Sequence, residues 1–130
     1  VYIKVSKQDF QISGFSDSDW GNDVEDRRSV SGYCFHFSSG VVSRNSKKQQ
    51  TVALSSCEAE YLALSSAAQE LVFLRALSCD LGYYLDSPSY LLGDNRGAIA
   101  LTGNPTGHKR TKHIDIRHHY LRDLVEDNVI

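Results

Sequence analysis

The chain has 130 residues, of which 41% are hydrophobic and 23% are charged. This length and composition predict one globular domain over residues 1–130, with a core that needs no disulfide bond or structural metal to fold. Its 14 basic and 16 acidic side chains leave a formal net charge of −2, which excludes the uniformly basic surface of a DNA-coating protein. No uninterrupted apolar segment reaches the ~18 residues of a membrane span, so we expect no membrane partner.

The cysteines and the first residues indicate the cellular setting. Cys34, Cys57 and Cys79 are odd in number and lack a CxxC pair, which argues against a disulfide framework and against a zinc knuckle. We expect reduced, mostly buried thiols in an intracellular protein. The first residues do not show the long apolar stretch and small-residue cleavage site of a signal peptide, and the sequence contains no Met, so we interpret it as a segment of a longer protein.

The first 46 residues predict a three-stranded antiparallel meander. Apolar and polar side chains alternate over residues 10–15, and an acidic turn is expected over residues 16–23. They alternate again from Val30 to Phe37. The sequence Ser38-Ser39-Gly40 then predicts a hairpin turn into a strand over residues 41–44.

A long helix follows the meander. Ser55 with Glu58 three residues later fits a capping box, and Gly82 supplies a stop, which predicts a helix of about 25 residues. Apolar side chains recur at helical spacing along it and are expected to pack on the sheet. They are Leu64, Ala67, Ala68, Leu71, Leu74, Leu77 and Leu81.

Three shorter elements complete the predicted order βββαβαα, a mixed α/β layer. A short buried strand is expected over residues 89–92. Asn95 can cap a short helix that Gly103 and Pro105 end, and Thr111 can cap a last helix.

Three acidic residues fall where this order would bring them together. Asp17 is expected just past the first strand, Asp94 just past the fourth, and Glu60 near the start of the long helix. Adjacent parallel strands would place both aspartates at one sheet edge. Clustered carboxylates need a neutralising charge, and hard oxygen ligands suggest Mg²⁺ or Mn²⁺. Two such ions about 4 Å apart activate water and stabilise the leaving oxygen of a phosphodiester.

Each of these acids also has a purely structural explanation. Asp17 could form a turn, Glu60 could complement the helix dipole, and Asp94 could be an alternative N-cap. The joint placement of the three residues, rather than any one of them, favours a metal site.

The basic residues are clustered as well. They occur at Arg27 and Arg28, at Arg44, Lys47 and Lys48, and within residues 108–122, a window that also holds four of the histidines. Such clusters are typical of a solvated face, or of a basic rim beside an acidic pocket. The sequence leaves both alternatives open.

Several longer motifs resemble one known family. They are FSDSDWG (15–21), RRSVSGY (27–33), SKKQQTVALSS (46–56), EAEY (58–61), GDN (93–95) and TKHID (111–115). Together they strongly resemble the RNase H domain of copia-type LTR retrotransposon polyproteins. The resemblance covers essentially the whole chain, with the motifs in the family's order. Residues 1–11 resemble the connector that follows the reverse transcriptase domain.

The resemblance implies an RNase H-like fold and hydrolysis of the RNA strand of RNA–DNA hybrids by two divalent ions. Mg²⁺ is the expected cofactor, and Mn²⁺ is expected to substitute for it. An Asp-Glu-Asp-Asp set holds the ions in the family, and by position Asp17, Glu60 and Asp94 match its first three members. Glu60 is preferred to Glu58 because Glu60-Tyr61-Leu62-Ala63 aligns with the run that begins at the family's catalytic Glu.

The chain also departs from the family's pattern. It stops at Ile130, before the family's fifth strand and last helix, so we expect one sheet edge and the fourth carboxylate to be missing. Asp115 is a possible substitute for that carboxylate. Arg44 stands where the family usually has Trp, and Cys57 where it usually has Thr; these departures would fit a decayed copy, a host-adopted copy or an engineered one.

The leading hypothesis is an intracellular endoribonuclease, in a cytoplasmic virus-like particle or in the nucleus, beside the reverse transcriptase of its parent polyprotein. The expected contacts to an RNA–DNA hybrid are Arg27, Arg28, Lys47, Lys48, Lys112, His113 and Arg117. The alternative is a catalytically impaired remnant that binds nucleic acid or protein. A zinc module on His113, His118 and His119 is disfavoured, because their spacing does not place all three on one helical face.

Overall fold

A computed structural model describes residues 10–21, 23–103 and 112–130. Within these residues the predicted order βββαβαα is confirmed. The elements are β1 (Ile12–Asp19), β2 (Val30–Phe37), β3 (Gly40–Lys48), α1 (Ser56–Asp80), β4 (Tyr90–Leu92), α2 (Arg96–Gly103) and α3 (Lys112–Glu126). The predicted stop at Pro105 and cap at Thr111 lie outside the described residues, as does most of the expected connector.

The four strands form one mixed sheet in the order β3-β2-β1-β4. β1 pairs antiparallel with β2, which pairs antiparallel with β3 across an irregularity between Phe35 and His36. On its other side β1 pairs parallel with β4. The predicted meander and the predicted parallel neighbour of β1 are therefore both confirmed.

Two strands are longer than their residue types predict. β1 continues through the expected acidic turn, because its residues remain paired with β2 as far as Asp19 opposite Val30. Asp17 therefore lies within the strand rather than just past its end. β3 likewise runs to Lys48, which pairs with Val30. Pairing with β2 overrides the low strand propensity of the Ser, Asp, Asn and Lys residues in these segments.

β4 is not the buried strand that was expected. Leu91 packs against the core, whereas Tyr90 and Leu92 are 59% and 49% exposed. Successive side chains of a strand point to opposite faces of the sheet, and α1 covers the face on which Leu91 lies. The prediction of a buried strand is therefore wrong for two of its three residues.

The long helix begins and ends where its capping residues predict. The Ser55 hydroxyl accepts a hydrogen bond from the Glu58 N–H, and the Glu58 carboxylate accepts from the N–H of Leu54, one residue before the cap. At the other end Gly82 has φ +85°, and the N–H of Tyr83 donates to the carbonyl of Ser78. This hydrogen bond satisfies one of the last carbonyls of α1.

α1 packs against both the sheet and the two shorter helices. One core cluster joins α1 to β1 and β2 through Ile12, Phe35, Ala67 and Leu71. A second joins α1 to α2 and α3 through Tyr61, Leu64, Ala68, Ala98 and Leu121.

The apolar stripe of α1 is only partly buried. Leu77 and Leu81 are 41% and 65% exposed, so the stripe leaves the sheet before the helix ends. By length and composition alone α1 could cross a membrane, but half of its most apolar window is buried inside this fold. The core helices of soluble proteins are commonly as long and as apolar as this one.

The three thiols are free, but they are less buried than expected. Cys34 and Cys57 are half-buried and Cys79 is exposed. The expectation of mostly buried thiols is therefore wrong. Cys34 lies on the sheet opposite Phe15 of β1, and Cys79 lies in the last turn of α1.

Candidate metal site and nucleic-acid surface

The parallel pairing of β1 and β4 aligns the two aspartates. Phe15 of β1 lies opposite Leu92 of β4. Continuing that register by two residues brings Asp17 opposite Asp94. Neither carboxylate is buried, so both can face solvent at this end of the sheet.

The third carboxylate reaches the same place from α1. Glu60 lies in the second turn of the helix and is only 7% exposed. Its Oε1 accepts hydrogen bonds from the backbone N–H of Ser18 at 3.1 Å and from the Ser18 hydroxyl at 2.8 Å. These two bonds attach the start of α1 to β1 and fix the orientation of the carboxylate beside Asp17.

Together, Asp17, Glu60 and Asp94 offer ligand atoms that all lie within 4.8 Å of one another. The prediction that these three carboxylates converge is confirmed. Glu58, the alternative considered from the sequence, bonds instead to the backbone of Leu54 at the start of α1.

The structural explanations for these residues do not hold in the fold. Asp17 is in a strand and forms no turn. The cap of α2 is Asn95, whose Oδ1 accepts from the N–H of Ala98 at 3.1 Å, so Asp94 does not serve as one. Glu60 bonds to a strand rather than to its own helix terminus.

The pKa of Glu60 reflects its burial and its acidic neighbours. Burial raises the pKa of Glu60 above its usual value, and the nearby charges of Asp94 and Asp17 raise it further. The hydrogen bonds from Ser18 oppose this increase in pKa. A divalent cation among the three carboxylates would remove the repulsion and favour the charged form of each.

The donor set fits a hard divalent cation. Mg²⁺ and Mn²⁺ prefer carboxylate oxygens and retain several water ligands. One buried, anchored carboxylate beside two exposed ones supplies protein oxygens while leaving room for water and substrate. The residues present therefore fit the expected ion.

Trp20, for which the sequence predicts no role, lies three residues after Asp17 in the chain. This residue follows β1 directly, and its indole N–H donates to the carbonyl of Ala53 at 3.3 Å. Ala53 precedes α1 by three residues. The side chain of Trp20 is nevertheless 52% exposed.

Three of the predicted nucleic-acid contacts line one groove. Lys47, Lys48 and Arg117 border a cavity of about 410 Å³ between β2, β3, α1 and α3. Its other lining residues are mostly polar: Ser31, Tyr33, Asn45, Gln49, Gln50, Thr51, Leu62, Ser66 and Gln69. Lys48 also forms ion pairs with Asp23 and Asp26.

The remaining candidates are not in this groove. Arg27 is exposed with φ 58°, and Arg28 lies 3.7 Å from the carboxylate of Asp26. The side chains of Lys112 and His113 lie outside the described part of the chain. So does that of Asp115, the possible fourth carboxylate, and so do two of the three histidines of the zinc hypothesis, His113 and His118.

Comparison with known proteins agrees with this architecture. No protein-family model matches the chain. The retrovirus-related Pol polyprotein from transposon TNT 1-94 of Nicotiana tabacum is 41% identical over 117 residues, which cover 89% of this chain and 9% of the polyprotein. The corresponding polyprotein from transposon RE2 of Arabidopsis thaliana is 36% identical over 130 residues, which cover all of this chain and 9% of that protein.

Among solved structures, LC11-RNase H1 in complex with an RNA/DNA hybrid matches with a TM-score of 0.60 and 13% identity. The match covers 92% of this chain and 79% of that one. Three antiparallel strands, a parallel fourth strand and the packed helices therefore define an RNase H-like α/β fold. The chain is homologous to retrovirus-related Pol polyproteins of copia-type transposons. It spans about 9% of the length of these relatives.

Proposed function

We propose that the chain is an endoribonuclease that hydrolyses the RNA strand of RNA–DNA hybrids by a two-metal-ion mechanism. The observation that carries the proposal is the convergence of Asp17, Glu60 and Asp94 at one end of an RNase H-like sheet. Carboxylates at this separation are suited to share divalent ions, and such ions are suited to phosphodiester hydrolysis.

The three carboxylates have different tasks in this proposal. Divalent ions, when bound, would lower the pKa of an attacking water and stabilise the leaving oxygen. Glu60, held by Ser18, provides a ligand whose position is set before substrate binds. Asp17 and Asp94 are exposed and supply oxygens on the side that a phosphodiester can approach.

The substrate class is supported by the groove and by a structural neighbour. Lys47 and Arg117 place positive charge along a polar groove, as expected for contacts to backbone phosphates that do not read sequence. LC11-RNase H1 has been solved with an RNA/DNA hybrid. We extend that substrate class to this chain as part of the proposal.

The Pol relatives suggest the wider context. We propose that the chain acts within a polyprotein that also contains a reverse transcriptase, and that it works inside the cell, in a virus-like particle or in the nucleus. A reverse transcriptase that copies RNA produces an RNA–DNA hybrid, and removal of the RNA strand frees the new DNA strand.

A cleavage assay tests the proposal. Labelled RNA–DNA hybrid is incubated with the protein in Mg²⁺, in Mn²⁺ and in EDTA, beside double-stranded RNA, double-stranded DNA and single-stranded RNA. The proposal expects cleavage of the hybrid RNA strand alone, and only with a divalent ion. Hybrid binding without metal-dependent cleavage would instead favour the non-catalytic remnant.

A further inference from the structure

Trp20 is the only tryptophan in the chain and leaves about half of its surface in solvent. Single exposed apolar side chains are common and need no explanation by themselves. The surroundings of Trp20 distinguish it from the other exposed apolar residues.

The ring is held in place although it is exposed. Its N–H donates to the carbonyl of Ala53 at 3.3 Å, which satisfies the polar edge of the ring, while about half of the side-chain surface stays in solvent. The next residue, Gly21, has φ +60°, and its N–H donates to the hydroxyl of the fully buried Ser29 at 3.0 Å. A fixed aromatic platform loses little conformational entropy when a ligand binds to it.

The position of this platform relates it to the carboxylate site. Trp20 follows Asp17 by three residues, which span at most about 10 Å of extended chain. Its hydrogen-bond partner Ala53 leads into α1, the helix that carries Glu60. The hydrogen bond of the indole therefore joins the end of β1 to the segment that leads into α1, and these two elements supply two of the three carboxylates.

We infer that Trp20 is a substrate-contacting residue, whose exposed face packs on the sugar and base surface of bound nucleic acid near the cleaved phosphate. This inference rests on the proposed function. Phosphates repeat about every 3.4 Å of helix axis along one strand, so the contact falls within about three nucleotides of the carboxylates. Aromatic contacts of this kind tolerate any sequence, because every base has a π face.

The single tryptophan makes the contact directly observable. Asp94→Asn protein, which retains Trp20 and is expected not to cleave, is titrated with hybrid while tryptophan emission and the anisotropy of a labelled hybrid are recorded in parallel. The inference expects an emission change that saturates at the same hybrid concentration as the anisotropy. Binding by anisotropy with unchanged emission would overturn the Trp20 contact alone, whereas no hybrid binding would overturn the proposed function as well.

Substitutions separate contact from structural support. Trp20→Ala is expected to weaken hybrid binding about tenfold or more, while Trp20→Phe, which keeps an aromatic face but loses the bond to Ala53, retains most of it. Phe73→Ala is the matched control, because Phe73 is a 58% exposed aromatic residue in the second half of α1. The affinity of the Phe73→Ala variant for the hybrid should stay within about twofold of the parent chain's affinity.

A purely structural role for Trp20 predicts a different pattern. Trp20→Phe and Trp20→Ala would then lower the melting temperature alike, and neither would change hybrid affinity in the folded protein. Melting curves and steady-state kinetics of both variants decide between the two roles. The inference expects Trp20→Ala to raise KM for hybrid with a smaller effect on kcat, and an unchanged KM would contradict it.

Discussion

Lys47 and Lys48 are neighbours in β3, but their ammonium groups have different surroundings. Lys48 pairs with the carboxylates of Asp23 and Asp26. In the described part of the chain, no carboxylate lies within ion-pair distance of Lys47, which lines the groove. A lysine that is already paired must give up that pairing before it can neutralise a phosphate.

We therefore predict that Lys47→Gln weakens hybrid binding more than Lys48→Gln does. Loss of one phosphate contact should reduce the slope of log K against log salt by about 0.9 and lower affinity several-fold at low salt. Anisotropy titrations from about 50 to 200 mM KCl measure both quantities. Equal losses of hybrid affinity for the two variants would show that the ion pairs of Lys48 do not keep it from binding phosphate.

The same ion pair predicts a pH effect at Asp23. The hydrogen bond from Lys48, with those from the backbone N–H groups of Glu25 and Asp26, lowers the pKa of Asp23 from 3.8 to about 2. Because the folded pKa lies below the unfolded one, the ionised group stabilises the fold above pH 3.8, and this contribution is lost as the pH falls towards 2.

In Lys48→Gln the pKa of Asp23 should return towards 3.8. In the parent chain the lowering of this pKa should be smaller at high salt, because the ion pair is on the surface. Carboxyl-carbon NMR shifts across an acid titration measure this. An Asp23 pKa near 3.8 in the parent chain would contradict the ion pair.

At the scale of elements, the contact between β1 and β2 depends on a missing side chain. A Cβ at Gly14 would lie 2.1 Å from Cε1 of Phe35, whose ring is fully buried in the core against α1. The buried ring of Phe35 occupies the space that a Cβ would need, so this glycine lets the side chain from β2 pack across β1.

Gly14→Ala should accordingly destabilise the fold by about 1–3 kcal/mol, the usual cost of overpacking a core. Gly32→Ala is the matched control on the same sheet, because its Cβ would meet nothing closer than the Asn45 carbonyl at 3.7 Å. Urea unfolding of the two variants gives the comparison. A Gly14→Ala loss no larger than that of Gly32→Ala would mean that Phe35 can repack.

The elements also differ in how far sequence alone predicts them. The bounds of α1 depend on nearby capping residues, which are Ser55 and Glu58 at its start and Gly82 at its end. Such local signals can be recognised in a sequence. The length of β1 depends on pairing with β2, and the exposure of β4 depends on which face α1 covers. Both are tertiary effects that propensity and periodicity do not contain.

At the scale of the whole molecule, the carboxylate site was predictable because each of its residues lies near an expected element boundary and within a family motif. The choice of Glu60 over Glu58 depended on the motif, and the fold brings Glu60 together with the two aspartates. The role of Trp20 was not visible in the sequence, because its partner Ala53 lies 33 residues away. A hydrogen bond over that separation leaves no local pattern.

The central claim is that these three carboxylates form a catalytic metal site. Its most direct test is single-turnover cleavage of labelled RNA–DNA hybrid in Mg²⁺ by the parent chain, by Asp94→Asn and by Glu58→Gln, with hybrid affinity measured for each in EDTA. Asp94→Asn should lower the cleavage rate at least about 100-fold, because metal stabilisation of the transition state is worth several kcal/mol, while hybrid affinity is kept. Glu58→Gln, changed at a helix cap two residues from Glu60, should cleave at nearly the parent rate. Cleavage by Asp94→Asn at the parent rate, or none by the parent chain in either Mg²⁺ or Mn²⁺, would contradict the claim.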